Sequence, residues 1–221
     1  MSETESVPLN YHHITDRIES YFDCEGDTPQ GMAWPNVPDA VRRYNVMLDV
    51  IRDTSRPVRL LDFGCGTGHL YEHLKRRHDL QIDYHGIDLS SRFVAAAQEK
   101  HPTVQFDQAD VLKHPQILGT YDYVVINGVF TAKWDVSFDT MLQFLQQTIK
   151  LLFTRCTGGI AFNTMSKHVD WERHDLFHLP LETLTTFLCR DVSRHFVIRN
   201  DYGLYEYTTY VFHETGDHNA A

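Results

Sequence analysis

The sequence lacks any long apolar run and any cluster of cysteines. No stretch approaches the roughly 18 apolar residues of a membrane-spanning helix, and the opening segment, MSETESVPLN, is acidic and lacks the apolar centre of a signal peptide. The four cysteines stand far apart, with no Cys-x-x-Cys pair, in a chain of 221 residues. We therefore expect a cytoplasmic protein with reduced thiols and no membrane partner.

The chain also lacks positive charge. It has 20 lysines and arginines against 30 aspartates and glutamates, a formal net charge of −10, and its basic residues are scattered. Little is available to neutralise a phosphate backbone, so we expect no nucleic-acid partner. The 14 histidines include no His-Glu-x-x-His pair, and the spacing of His168, His174 and His178 is irregular. We therefore expect no metal site.

Residues 1–56 are predicted to form an amino-terminal helical lid. Apolar residues at helical spacing predict a first helix over Tyr11–Phe22, and Asp39 is the expected cap of a second helix over Ala40–Ile51. The segment between them holds two glycines, three prolines and Trp34. This composition predicts a loop that packs over another part of the protein.

Between residues 57 and 213, short apolar runs alternate with amphipathic segments. This alternation is typical of a Rossmann-like, doubly wound α/β domain, a parallel sheet with helices on both faces. The last two runs are joined by Asp201-Tyr202-Gly203 without room for a helix, so they predict an antiparallel hairpin at the end of a seven-stranded sheet. Residues 214–221 are expected to be a disordered tail. The predicted strands are Arg59–Phe63, Asp83–Ile87, Val104–Gln108, Tyr123–Ile126, Gly159–Asn163, Ser193–Asn200 and Tyr205–Phe212, and the helices among them are His69–Arg77, Ser91–Lys100 and Phe138–Phe153.

A glycine-rich turn joins the first of these strands to a helix, in the segment LLDFGCGTGHL of residues 60–70. Glycines let the backbone turn sharply and approach a ligand closely, and the free amides at the start of a helix favour a carboxylate or phosphate. The turn therefore predicts a site for a nucleotide-type cofactor rather than a connection that binds nothing. Its third glycine comes one residue earlier than in the dinucleotide fingerprint, which argues against NAD.

This turn resembles the first motif of class I S-adenosylmethionine (SAM)-dependent methyltransferases, which release S-adenosylhomocysteine (SAH). Asp88 ends the second strand 20 residues after the last glycine of the turn, the distance at which a carboxylate reaches ribose hydroxyls. The resemblance implies that Asp110 receives the adenine amino group beside Val111, and that Asn127 and Gly128 line the methionine end. The cofactor-binding residues predicted in this way are Tyr21, Trp34, Arg43, Asp62, Gly64, Cys65, Gly66, Gly68, Asp88, Leu89, Asp110, Val111, Asn127 and Gly128.

Three further segments resemble a subgroup of small bacterial methyltransferases of surface-polysaccharide or secondary-metabolite synthesis. They are Gly31-Met32-Ala33-Trp34, Arg43-Tyr44 and the segment DYGLYEYT of residues 201–208. In the lid, Tyr11, Tyr21 and Trp34 either cover the cofactor or only pack. Arg43 either pairs with the methionine carboxylate or lies on the surface of its helix.

The sulfonium of SAM is an activated methyl donor, so the protein has mainly to align an acceptor and exclude water. A hydroxyl acceptor needs a group that takes its proton, and the segment of residues 163–175 has the composition of an acceptor pocket. For each candidate base, a solvated loop residue without a catalytic role is the favoured interpretation. The candidates are His12, His13, Lys133, His168 and Asp170.

The fourth strand is followed by Asn127-Gly128-Val129-Phe130. This sequence does not resemble the Asn-Pro-Pro-Tyr or Asp-Pro-Pro-Tyr motif of enzymes that methylate amino groups of nucleic acids or of protein glutamine. We therefore expect a small-molecule acceptor, such as a sugar or secondary metabolite. Methylation of an oxygen is the first choice, and methylation of a nitrogen is the second. The alternatives are an NAD-dependent oxidoreductase, a non-catalytic SAM-binding protein and an interaction protein without a ligand. The chain is expected to be a monomer or a homodimer.

Overall fold

The structure is a computed structural model that describes residues 11–34 and 36–214. The predicted tail lies outside these residues except for Glu214, as do the first ten residues of the predicted lid. Within the described ranges the helices are α1 His12–Glu25, α2 Val37–Leu48, α3 His69–Leu74, α4 Ser91–Lys100, α5 Phe138–Phe153 and α6 Leu181–Asp191. The strands are β1 Val58–Phe63, β2 Ile82–Asp88, β3 Gln105–Gln108, β4 Tyr121–Ile126, β5 Cys156–Met165, β6 Phe196–Arg199 and β7 Glu206–Phe212.

The strands form one seven-stranded sheet in the order β3-β2-β1-β4-β5-β7-β6. Strands β1 to β5 are parallel, whereas β7 runs antiparallel to both of its neighbours, β5 and β6. The predicted Rossmann-like sheet with an antiparallel carboxyl-terminal hairpin is confirmed. Because the parallel strands end at one edge, the polar residues that follow β1, β2 and β4 are brought together there.

The sheet separates two apolar clusters, because successive side chains of a strand point to opposite faces. Leu61 packs with residues of α5 and α6 on one face, and Leu60 packs with residues of α2, α3 and α4 on the other. Both leucines are fully buried. This double coverage explains why the central strands have near-continuous apolar sequences.

Several helix and strand assignments differ from the sequence-based prediction. Helix α2 begins at Val37 and is capped by Asn36, whose side chain accepts a hydrogen bond from the Asp39 amide at 2.9 Å, so the cap predicted at Asp39 was wrong. Strand β5 is ten residues long and extends beyond both predicted ends. Helix α6 was not predicted.

The described part of the lid is fastened to the sheet domain by polar contacts of α1 and of the loop after it. Ser90 donates a hydrogen bond to Glu19 at 2.5 Å, and Arg92 pairs with Asp23. Asp27 accepts the hydroxyl of Thr67 at 2.5 Å. These contacts hold α1 over the edge at which the parallel strands end.

In the described part of the chain, no helix has the length and apolar character that a membrane span requires. All four cysteines are described and all are free thiols.

Candidate functional site

A cavity of about 750 Å³ lies between the lid and the carboxyl ends of the parallel strands. Its floor is formed by the glycine-rich turn after β1 and by the residues that end β2 and β4. Its roof includes Ile14, Ile18 and Tyr21 of α1. A volume of this size is within the usual range, about 300–1,000 Å³, of small-molecule sites.

Gly64, in the glycine-rich turn that lines the cavity, has no room for a side chain. Its φ of +77° lies in the left-handed region, and a Cβ there would lie 2.3 Å from the side chain of Val129. Its amide donates to the carbonyl of Ile87 at 2.8 Å, which fixes the turn against β2. The turn thus presents bare backbone to whatever the cavity holds.

Asp88 is held at the end of β2 by two backbone amides. Gly66 donates to its Oδ2 at 2.9 Å and Ser90 donates to its Oδ1 at 2.8 Å. Burial raises the pKa of Asp88, and the amide hydrogen bonds oppose that shift. Since each oxygen has a second lone pair, the carboxylate can still accept hydrogen bonds from two adjacent hydroxyl groups.

Asp62, near the end of β1, is a buried carboxyl group in the cavity wall. It is 2% exposed, and its Oδ2 accepts the hydroxyl of Tyr84 at 2.6 Å. Burial raises the pKa of Asp62 to about 7 despite that hydrogen bond. This group is therefore partly protonated near neutral pH.

A buried ion pair joins the lid to the carboxyl-terminal hairpin. Arg43 Nε lies 2.9 Å from both carboxylate oxygens of Glu206, and its Nη2 lies 2.8 Å from Oε2. Asn163 donates to Glu206 Oε1 at 3.1 Å, and Tyr202 donates to the same oxygen at 3.4 Å. Both charged side chains are more than nine-tenths buried.

Trp34 covers this ion pair and the end of β4 together. The guanidinium of Arg43 lies 4.5 Å from the ring centroid, a distance at which a cation is attracted to an aromatic face. A Cβ on Gly128 would lie 2.5 Å from the same indole ring, so the backbone of Gly128 packs directly against it. The segments that resemble the bacterial subgroup thus meet at one point of the cavity wall.

Three polar atoms of the cavity wall have no hydrogen-bond partner among the described residues. Two are donors, Nη1 of Arg43 and Nε1 of Trp134, and one is an acceptor, Oδ1 of Asn127. Leaving a buried polar group unpaired costs about 1–3 kcal/mol, so these atoms favour a ligand that supplies partners. A carboxylate beside an ammonium, as in the zwitterion of an amino acid, supplies partners for Arg43 and Asn127.

The cavity brings together most of the predicted cofactor-binding residues. The predicted residues that line the cavity are Tyr21, Trp34, Arg43, Asp62, Gly64, Cys65, Gly66, Asp88, Leu89, Asn127 and Gly128. The predicted residues that do not line it are Gly68, Asp110 and Val111.

Asp110 faces a second, smaller depression of about 430 Å³. Its Oδ1 accepts the hydroxyl of Tyr11 at 2.7 Å, and its Oδ2 lies 3.0 Å from Nζ of Lys113. Burial raises the pKa of Asp110, but the hydrogen bonds from Tyr11 and Lys113 outweigh it and leave the pKa below its usual value. Tyr11 itself lines the main cavity and separates Asp110 from it.

One of the five candidate bases lies on the cavity wall. This is Asp170, which is exposed and accepts the hydroxyl of Tyr205 at 3.3 Å. The other four, which do not line the cavity, are His12, His13, Lys133 and His168.

Glu206 and His178 are among the cavity-wall residues that were absent from the predicted site. Glu206 lies in the segment that resembles the bacterial subgroup, which could have identified it. His178 accepts the amide of Arg173 at Nε2, 3.2 Å away, so its proton is on Nδ1 and is donated to the Ser166 carbonyl at 2.6 Å. His178 therefore shapes the loop of residues 166–178.

Asp27, His69 and Glu72 place three ligand atoms within 4.8 Å of one another, as a metal site would. The ammonium of Lys100 lies 2.7 Å from Asp27 and 2.9 Å from Glu72, and so already balances both carboxylates. The cluster is explained as an ion-pair network that fastens the lid. The expectation of no metal site stays a prediction.

Comparisons with known proteins agree with this geometry. A family model described as a methyltransferase domain matches residues 61–156. A Mycobacterium tuberculosis protein that is named as a methyltransferase is 30% identical over 167 residues, which cover 73% of this chain and 96% of that protein. The malonyl-(acyl-carrier protein) O-methyltransferase of Halalkalibacterium halodurans is 33% identical over 176 residues, which cover 76% of this chain and 61% of that enzyme.

The solved structure of magnesium protoporphyrin IX methyltransferase from Synechocystis with bound SAM has the same fold. It matches with a TM-score of 0.60 and 16% sequence identity, over 90% of this chain and 96% of that one. At this identity the likeness shows the fold alone.

Proposed function

The chain belongs to the class I SAM-dependent methyltransferases, whose methyl donor is SAM, and we propose that it methylates a hydroxyl or an amine of a small molecule. The observation that carries this proposal is that one cavity is lined by an unpartnered donor on Arg43, an unpartnered acceptor on Asn127 and the carboxylate of Asp88. Family membership excludes the alternative of an NAD-dependent oxidoreductase.

The residues present fit SAM at both of its polar ends. We assign Arg43 Nη1 to the methionine carboxylate, because a guanidinium donor matches a carboxylate oxygen and this nitrogen is free. We assign Asn127 Oδ1 to the methionine ammonium, and Asp88 to the ribose hydroxyls. Each assignment places a ligand group against an atom whose hydrogen-bonding capacity the protein leaves unused.

Bound SAM supplies a methyl group on a positively charged sulfur, so the protein needs no strong nucleophile of its own. Its residues hold the donor, exclude water and align the acceptor, which together contribute most of the rate enhancement in such a transfer. We propose that the lid, residues 1–56, closes the site while residues 57–213 bind the donor. Asp170 is the candidate base on the cavity wall for a hydroxyl acceptor.

The names of related proteins span acceptors of different chemistry. One is a malonyl-(acyl-carrier protein) O-methyltransferase, and another, from Rauvolfia serpentina, is a norajmaline N-methyltransferase that is 31% identical over 102 residues. A small molecule fits this chain best, since the acceptor part of the cavity is formed by one short loop and the hairpin turn.

Thermal unfolding with SAM, SAH and NAD in parallel tests the donor site. A ligand at about 100 times its Kd adds roughly 2.7 kcal/mol, and at about 2–4 °C per kcal/mol the Tm should rise by about 5–11 °C. We expect this rise with SAM and SAH, none with NAD, and none in Asp88→Ala. The matched control is Asp83→Ala, on the same strand but 73% exposed at its side chain, which should keep the full shift. Stabilisation by NAD alone, or a full shift in Asp88→Ala, contradicts the assignment.

Tyr11→Phe is expected to raise the affinity for SAH by about two-fold to ten-fold. The Tyr11 hydroxyl occupies Oδ1 of Asp110, the residue that the resemblance to class I methyltransferases assigns to the adenine amino group. The net contribution of such a hydrogen bond is about 0.5–1.5 kcal/mol. Phe retains the stacking on Phe144, whose ring centroid is 4.5 Å away.

Isothermal titration calorimetry with SAH measures this change. Tyr210→Phe is the matched control, because its hydroxyl donates to the carbonyl of Val46 and Tyr210 does not line the cavity. A lower affinity in Tyr11→Phe would show that the hydroxyl supports the cofactor instead of competing with it.

A further inference from the structure

The mouth of the cavity carries aromatic side chains that the described residues leave open to solvent. Trp171 is 74% exposed and Tyr205 is 64% exposed. Tyr21 of the cavity roof and Trp134 also line the cavity. Both are half-buried, and they stack on each other with ring centroids 5.6 Å apart. These four residues are called the aromatic rim. Exposed aromatic faces at the opening of a binding cavity favour a ligand with a flat apolar body.

A carboxylate stands within the aromatic rim. Asp170 is adjacent to Trp171 in the chain, and its Oδ2 accepts the Tyr205 hydroxyl at 3.3 Å. Among the described residues Asp170 forms no ion pair. The backbone carbonyl of Tyr205 accepts the Ser166 amide at 3.0 Å, so the loop that bears Asp170 is tied to the hairpin turn. The rim therefore combines aromatic faces with a carboxylate that has no ion-pair partner. The guanidinium of Arg17 lies 5.6 Å from the Trp134 ring centroid but does not line the cavity.

Among the described residues, the cavity offers no free cation to an anionic acceptor. Seven acidic side chains and two arginines of the described part of the chain line it. Arg173 forms a two-point pair with Asp175, at 3.1 and 2.5 Å, and Arg43 is paired with Glu206. The free Nη1 of Arg43 is already assigned to the methionine carboxylate. A carboxylate acceptor would therefore enter a negatively charged site without a partner.

We propose that the methyl acceptor is an amine on a flat apolar body, bound as its ammonium form between the aromatic rim and Asp170. This assignment rests on the proposed function and narrows its acceptor class. Aromatic faces and a carboxylate both attract a cation, and neither attracts an anion. The same features give an alcohol only the apolar contact and one hydrogen bond.

Methyl transfer requires a free electron pair on the acceptor nitrogen. The bound ammonium first loses one proton, to the Asp170 carboxylate or to water, which frees the nitrogen electron pair. The nitrogen then forms a bond to the methyl carbon while the carbon–sulfur bond breaks and its electron pair stays on sulfur. The positive charge moves from sulfur to nitrogen, and the products are SAH and the methylated ammonium.

Three aromatic probes of similar shape test the proposal: 2-phenylethylamine, 2-phenylethanol and phenylacetate. At neutral pH they are a cation, a neutral alcohol and an anion, respectively. Each is titrated by calorimetry into the full chain saturated with SAH. We expect the amine to bind at least about ten-fold more tightly than phenylacetate, and with SAM in place of SAH to become the methylated probe. Asp170→Asn should reduce the preference for the amine over the alcohol by about three-fold or more.

The control variant is Glu172→Gln, which removes an exposed carboxylate of the same loop that pairs with Lys167 and does not line the cavity. It should keep the wild-type preference. Three outcomes overturn the amine assignment and leave the donor site standing. They are equal or tighter binding of phenylacetate or 2-phenylethanol, an unchanged preference in Asp170→Asn, and no binding of any probe to the SAH-loaded protein. Failure of SAH itself to bind overturns the proposed function as well.

Discussion

Replacing Arg43 with methionine is expected to abolish measurable SAH binding and to lower the free energy of unfolding by about 3–5 kcal/mol. The substitution leaves the carboxylate of Glu206, which is 1% exposed, without its charged partner. It also removes the free Nη1 that is assigned to the methionine carboxylate. Urea unfolding measures the loss of stability, and calorimetric titration with SAH measures the loss of binding.

The two effects are separated by the double variant Arg43→Met with Glu206→Gln. Glutamine carries no charge and keeps an oxygen that can accept the hydrogen bonds of Asn163 and Tyr202. Replacing both members of a buried ion pair is often close to neutral, so the double variant should recover most of the lost stability. SAH binding should stay lost. Recovery of binding along with stability would show that Arg43 acts only through the fold.

Much of the fold could be predicted because burial imposes a local pattern on each strand. The central strands are covered on both faces, so they form apolar runs that are visible without knowledge of their neighbours. Helix α6 escaped prediction because its buried residues, Leu184, Phe187 and Leu188, follow a loop rich in histidine and charge. The cap of α2 was misplaced because Asn36 and Asp39 are both good capping residues, and only the backbone shows which side chain accepts.

The part of the site formed by residues at the ends of the parallel strands could be predicted from the sequence. The part formed where the lid contacts the hairpin could not. Polar residues that follow parallel strands converge by topology, which is why Asp88 and Asn127 could be placed together from sequence. The partners Arg43 and Glu206 are 163 residues apart, and Tyr11 and Asp110 are 99 apart. No periodic pattern couples residues at such separations. Only a resemblance to known sequences pointed to the segments that contain Arg43 and Glu206.

Asp62→Asn is expected to stabilise the protein above about pH 7 by up to about 4 kcal/mol. Burial raises the pKa of Asp62 from 3.8 to about 7, so the folded state holds a proton that the unfolded state has already released. Between these two values the unfolded state binds fewer protons, and stability therefore falls as pH rises until Asp62 ionises in the folded state as well. Below the lower value the group is protonated in both states and the contribution vanishes. Asparagine does not titrate, yet it retains an oxygen for the Tyr84 hydroxyl.

Unfolding in urea at about pH 5 and about pH 8 tests this sign, because the advantage of Asp62→Asn over the wild type should grow by about 3 kcal/mol between them. Asp135→Asn is the control, since Asp135 is exposed and should show no such growth. An advantage that shrinks with pH would mean that a cation near Asp62 stabilises its charged form in the folded protein. If the advantage grows as expected, the wild-type chain keeps a carboxyl group in the wall of its methyl-donor cavity at a cost in stability, which is the pattern of a residue retained for binding rather than for folding.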